Sequence, residues 1–245
     1  MATTDPRDAS WNGMYRLAAV CALLIVAVAL LDIATMFFEG KTIVPGEMGA
    51  AGWFALISEH RYLGLRNLGL LNIANLLLEL PLFVAIYAVH RRTDPGLASV
   101  ALLLFAIGAS VYISRNTVFS IDALSAQYAR AQSPEQKDAL LAAGQATLAI
   151  GEDLTEGTVM GFVLTEAAGL LMAAVLFRGR RFGRVVAWVG IVGFGALLVF
   201  NVFAAFAPGS YGAVLWLGTI GGLLMIAWYV MVARGLFRLA AAKEM

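Results

Sequence analysis

The chain has 245 residues, of which 61% are hydrophobic and only 13% charged, and its mean hydropathy is +0.82. Soluble domains carry about 25% charged residues, so lipid rather than water is the principal solvent here. A net charge of +1 excludes a polyelectrolyte partner such as nucleic acid, and a lone cysteine, Cys21, excludes an internal disulfide and a thiolate metal cluster.

A membrane-crossing helix needs about 20 mostly apolar residues. The first such run, residues 14–38, contains Asp32 and follows a polar start. It is too long for the apolar core of a signal peptide and lacks a small-x-small site before Glu39, so it reads as a retained span. After a loop with Pro45 and several glycines, residues 53–60 (WFALISEH) form an apolar patch expected to lie in the membrane interface. The second span, residues 65–90, is unusual in carrying Asn67, Asn72, Asn75, Glu79 and Pro81. A short link, HRRTDP, leads to Pro95, which suits a helix start.

The third span covers residues 96–114, and its helical pattern runs on past Arg115 with Val118, Ile121, Leu124 and Tyr128 on one face. Ser133-Pro134-Glu135-Gln136 then supplies an N-cap, a proline at the first helical position and a Gln at the third. That helix reads through a polar part into the fourth span, residues 157–177. Spans three and four are therefore expected to project from the membrane as a helical hairpin, residues 115–156, bent at Gln132-Ser133. The link RGRRFGR follows. No charged residue occurs from 185 to 233, and Pro208-Gly209-Ser210-Tyr211-Gly212 divides this stretch into spans at 185–206 and 211–233. The last span is taken to end before Arg234.

The expected fold is thus all-α: one integral-membrane domain over residues 1–245, a polytopic bundle of six transmembrane helices. Eleven of the seventeen Lys and Arg residues fall on the side that holds the termini, and they hug the span ends. By the positive-inside rule both termini are cytoplasmic and the hairpin faces outward.

Counting 1.5 Å per residue from the inner anchors places Glu79 and Glu166 at about 18 Å, near mid-membrane. Asp32, Asn75, Asn201 and Thr219 fall at about 22–26 Å, with Asn72 and Ser110 close by. The polar residues therefore form one layer in the outer half of the bundle, drawn from all six spans. On the second span Asn72, Asn75 and Glu79 share a face about 60° wide. This layer predicts an outward-opening pocket with Glu79 and Glu166 as proton donor or acceptor and Asp32, Asn72, Asn75, Asn201 and Arg115 as ligand-binding groups. Two carboxyls facing each other cannot both ionise cheaply. The competing reading is interhelical hydrogen bonding at under about 2 kcal/mol per group. Arg115 has a second reading too, as a salt-bridge partner of the Glu152, Asp153, Glu156 cluster, and Arg66 either binds a headgroup or snorkels.

Several chemistries are excluded. His60 and His90 are thirty residues apart, about 45 Å along a helix, too far to share a haem. Lys41, Lys137 and Lys243 lie outside the spans and so cannot carry a retinal Schiff base. HExxH, GxSxG and P-loop patterns are absent. No cofactor and no metal are called for.

The stretch YRLA (Tyr15 to Ala18), LPLF in the second span with Tyr87 after it, the polar extension between spans three and four, and RRFGR with Gly190 after it resemble a bacterial integral-membrane family known as domain of unknown function 4386. The resemblance implies a six-span protein of the bacterial plasma membrane and brings no reaction, ligand or catalytic residue with it. Three functions stay open. The first is a pocket for a lipid-like or small apolar molecule, whose enzymatic version is acid-catalysed isomerisation or cyclisation. The second is a proton- or ion-coupled transporter, which the dry inner halves oppose. The third is an accessory subunit docking on another membrane protein, or on a second copy, through the glycine-rich faces of spans five and six.

Overall fold

The computed structural model of the chain describes residues 11–39, 43–44 and 46–241, and these are helical with no strand among them. Ten helices follow in order: α1 Asn12–Glu39, α2 Ala50–Glu59, α3 Arg61–Asn67, α4 Leu70–His90, α5 Pro95–Arg115, α6 Val118–Arg130, α7 Pro134–Gly151, α8 Val159–Gly179, α9 Arg184–Phe206 and α10 Tyr211–Ala241. A single 3-10 turn, Pro208–Ser210, joins the last two. Six of them (α1, α4, α5, α8, α9 and α10) are long and apolar enough to cross a membrane. The protein is a multi-pass membrane protein.

The spans pack in chain order as a closed ring: α1 on α4, α4 on α5, α5 on α8, α8 on α9, α9 on α10, and α10 back on α1. Four-residue links at 91–94, 180–183 and 207–210 make α4–α5, α8–α9 and α9–α10 antiparallel neighbours; the other three contacts are made by tertiary packing. α4 also touches α8 directly, so α5 stands behind these two rather than in the ring wall. Glycines set the closest approaches. A side chain at Gly161 would meet the Tyr112 backbone at 2.8 Å, and Gly190 lies under Trp228. Gly193 packs on Met225, Gly218 on Phe200 and Gly221 on Leu197. Of the glycines on spans five and six, Gly190, Gly193, Gly218 and Gly221 pack α9 against α10 within the chain, whereas a Cβ at Gly222 would meet nothing within 4 Å.

One end of the bundle gathers the first and last described residues. The Arg91 guanidinium sits over the Trp11 ring at 5.0 Å, His90 stacks on Phe182, and Phe182 packs on Gly235. The other end is covered by α2, α3, α6 and α7. In residues 53–60, Trp53, Phe54 and Ile57 are buried within this cover, with Phe54 against Tyr128 and Gly144 and Ile57 against Gly64, while Ala55 and Ser58 to His60 are exposed. The Arg61–Asp122 pair, 2.7 Å apart, ties α3 to α6.

Three helices expected to be continuous are broken. The stretch 65–90 turns at Leu68–Gly69, where Gly69 has φ 92° and a Cβ would strike the Tyr112 hydroxyl. The third span stops at Arg115, and α6 restarts at Val118. α7 ends at Gly151, and α8 begins only at Val159. The last two breaks face each other: the amide and hydroxyl of Thr117 both donate to the Gly151 carbonyl, at 3.2 and 3.1 Å. Each helix end thereby satisfies backbone groups that hydrocarbon would leave bare. The N-cap read at Ser133 forms, accepting from the Gln136 amide at 3.3 Å, and the start at Pro95 is capped by Asp94, which accepts from the Leu97 amide at 3.4 Å. Pro81 lies inside α4 without ending it.

Gly151 abuts the Arg115 carbonyl so closely that any Cβ there collides with backbone, whereas a Cβ at Gly96 meets nothing within 4 Å. Overpacking against rigid atoms costs about 1–3 kcal/mol. Gly151→Ala is expected to lower the thermal midpoint of the detergent-solubilised protein by about 3–10 °C, and Gly96→Ala to leave it unchanged, as followed by tryptophan fluorescence.

Candidate functional site

Inside the ring, beneath the cover, lies a cavity of about 920 Å³. Its walls come from α1, α4, α8, α9 and α10, with Trp53 of α2 and the 152–154 turn at the covered end. α5 lines none of the cavity and reaches the site only through Tyr112, which holds Asp153; Ser110 is exposed and donates to the Ala106 carbonyl. The polar layer is therefore drawn from five spans rather than six.

The covered end is charged. Arg66, at the foot of α3, donates through Nε to Asp32 Oδ1 at 2.7 Å and through NH2 to the Asp32 carbonyl at 3.2 Å. The Arg66 side chain is 7% exposed, so it neither reaches a headgroup nor snorkels. Beside it, Asp153 accepts from the Tyr112 hydroxyl at 2.6 Å and from Asn72 Nδ2 at 2.9 Å. Glu152 Oε1 accepts from the Trp53 indole at 3.3 Å and from the Gly46 amide at 3.1 Å. Leu154, at φ 57°, makes the turn that aims both carboxyls inward. Burial holds both groups above the ordinary carboxylate range, Asp153 at about 6, with the Tyr112 and Asn72 hydrogen bonds only partly opposing it.

The deep end lies about 10 Å further along α4, seven residues on from Asn72. There the Tyr229 hydroxyl of α10 donates to Glu79. Glu166 of α8 is within electrostatic reach of Glu79. Glu166 Oε2 and Asn75 Oδ1 are buried and have no hydrogen-bond partner among the described residues. Below this level the side chains buried on α4 are Leu82, Phe83, Ala85, Ile86 and Ala88, with His90 buried only at the helix end, and Phe83 stacks on Phe105 with ring centroids 4.0 Å apart. The cavity thus ends on an apolar floor rather than continuing toward His90.

Of the residues singled out from sequence, Asp32, Asn72, Asn75, Glu79, Glu166 and Asn201 all line this one cavity, as does Thr219. Arg115 does not. It lies beside Gly151, where folding the hairpin at Ser133 sets it, but only its backbone carbonyl makes that contact and its side chain is exposed. Glu152 and Asp153 turn inward on neutral donors instead of pairing with it, and Glu156 is exposed. No group of three or more metal-ligating side chains occurs among the described residues.

Tyr229, Tyr112, Trp53 and Arg66 were missed as members of the site. For Tyr229 the cause is a misplaced anchor. Ending the last span before Arg234 sets Tyr229 near the membrane surface; α10 runs on to Ala241, which raises it to the level of Glu79. The length of uninterrupted helical pattern past Arg234 was the available signal.

Raised carboxyl values carry a definite pH dependence. A native state that keeps a proton after the unfolded chain has released it loses stability as pH rises between the two values. For Asp153 that window runs from its ordinary value of 3.8 up to about 6. Asp153→Asn, which retains an acceptor for Tyr112, is therefore expected to gain thermal midpoint relative to the parent as pH rises through this window, with a constant difference above about pH 7. Equal pH slopes for parent and variant would show that Asp153 ionises as an exposed carboxylate.

No curated protein and no solved structure matches the chain. The family profile described as Domain of unknown function (DUF4386) matches residues 19–236. With the profile running from the early turns of the first span to the last turns of the sixth, the chain belongs to that family.

Proposed function

We propose that this protein holds an amphipathic, lipid-like small molecule within the membrane, taken from the bilayer through a gap between α1 and α10. The observation that carries this is the cavity itself: about 920 Å³, walled by apolar side chains, charged at one end and bearing unpartnered polar atoms at the other. Its volume lies in the range of small-molecule pockets, about 300–1,000 Å³. Buried polar atoms in hydrocarbon are costly unless something completes them. Asn75 Oδ1 would accept from a hydroxyl of the molecule, and Glu166 Oε2 would accept from a hydroxyl or, when protonated, donate to a carbonyl.

The entry path follows from how α1 and α10 pack. The buried residues of α1 are Tyr15, Ala18, Ala19, Cys21, Ala22 and Ile25, and beyond Ile25 no described residue of α1 is buried. On α10, Thr219 and Leu223 both line the cavity and face outward. The helices thus close in the half nearer the termini and part in the other half. With the arginine-rich end of the bundle in the cytoplasm, that gap opens on the outer leaflet of the bacterial plasma membrane, and α6 and α7 cover it from outside. The apolar floor below Glu79 favours holding over transport.

Organic extraction of protein purified in mild detergent, followed by mass spectrometry, tests this. About one amphipathic molecule per chain is expected, enriched over the detergent and lipid background, and lost from the cavity-filling variant Ala29→Trp. An extract identical for parent and Ala29→Trp would overturn the reading.

A second reading, proton transfer to the bound molecule, is favoured by the free oxygen of Glu166 beside the Glu79–Tyr229 pair. It predicts that Glu166→Gln copurifies with a different molecule from the parent, an isomer of the same mass. An unchanged occupant leaves simple binding as the function.

A further inference from the structure

A second groove, of about 400 Å³, lies at the opposite end of the bundle, where α10 passes the link between α8 and α9. Arg181 comes from the link, and Arg234 and Arg238 come from the last turns of α10. Spaced four apart, the latter two share one helix face. No hydrogen bond or ion pair engages any of the three guanidiniums among the described residues. Asp94, on the neighbouring link between α4 and α5, is engaged by Arg178 at 3.1 Å. The groove is built rather than incidental: Phe182 packs on Gly235, where any Cβ would collide with its ring, and this seats the link on α10 and holds Arg181 opposite the other two. The floor is apolar, formed by Met231 and Leu239.

We propose that this groove binds the phosphate of an anionic phospholipid, with an acyl chain lying over Met231 and Leu239. Guanidiniums are planar forks matched to phosphate oxygens, and basic pockets between membrane helices take anionic headgroups. The level fits, because α8 ends at Gly179 and α9 starts at Arg184, which puts the link at the membrane surface. Generic attraction of surface arginines to an anionic bilayer would not require them to converge on a groove with an apolar floor. The inference is independent of the cavity at the other end.

Native mass spectrometry of the full chain in detergent, titrated with phosphatidylglycerol, phosphatidylcholine or inorganic phosphate, tests it. The parent is expected to bind one phosphatidylglycerol at least about tenfold more tightly than phosphatidylcholine. Arg234→Gln with Arg238→Gln should weaken phosphatidylglycerol about thirtyfold, and Arg181→Gln alone about fivefold. The last variant lies outside any helix and guards against misfolding of the first. Arg180→Gln with Arg184→Gln removes the same charge from the same end and should change binding less than about twofold. Equal losses from both double variants would reduce the effect to surface charge and overturn the site. Displacement of the lipid by equimolar inorganic phosphate would overturn the lipid as its ligand.

Discussion

Asp153 is the knot on which the covered half of the molecule depends. Its two oxygens are held by Asn72 of α4 and Tyr112 of α5, and the residue itself sits in the turn that launches α8. A carboxyl in this setting is tolerable only with its acceptor capacity filled. Three spans are therefore fixed relative to one another by one side chain. The neighbouring Asn116 donates to the Leu68 carbonyl at 2.9 Å and to the Tyr112 hydroxyl at 3.2 Å, closing the same knot from the broken end of α5. Gly69, lying against Tyr112 and Asp153 at positive φ, lets α4 begin there.

The breaks at 116–117 and 152–158 follow from that knot. Continuous helices through these positions would carry Glu152 and Asp153 around a helical face, and they could not both point inward. Breaking there exposes helix ends, and the fold answers each: Thr117 on the Gly151 carbonyl, Thr158 on the Glu152 carbonyl at 3.2 Å, Asn116 on the Leu68 carbonyl. The result is a cavity with a charged roof held by these contacts. The pairing of Tyr229 with Glu79 marks the bottom of that cavity and leaves Glu166 as the carboxyl with capacity to spare.

Much of this was legible from residue order. Depth counted from the basic anchors assigns Asp32, Asn72, Asn75, Glu79, Glu166 and Asn201 to one layer in the outer half of the bundle, and all six line one cavity. The count works because a helix rises a constant 1.5 Å per residue and arginines stop at the membrane surface. It failed for Tyr229 because Arg234 is not the end of its helix. It failed for Arg115 because depth says nothing of which way a side chain points. Arg66 at the level of Asp32 was assigned to lipid, since a salt bridge between helices distant in sequence leaves no periodic trace.

The sequence by itself determined the number of spans, the turns between them, the two capped helix starts and the level of the polar groups. These are local properties: apolar run length, capping chemistry and rise per residue decide them within a few turns of helix. Only the tertiary structure decided that the spans close into a ring in chain order, that α5 stands outside the cavity wall, and that Asp153 rather than Arg115 completes the covered end. Those outcomes turn on azimuth and on contacts across 40 to 150 residues, such as Asn72 with Asp153 and Glu79 with Tyr229. A helix of constant rise carries depth in its residue count, but which neighbour each face meets is settled only when all six are packed together.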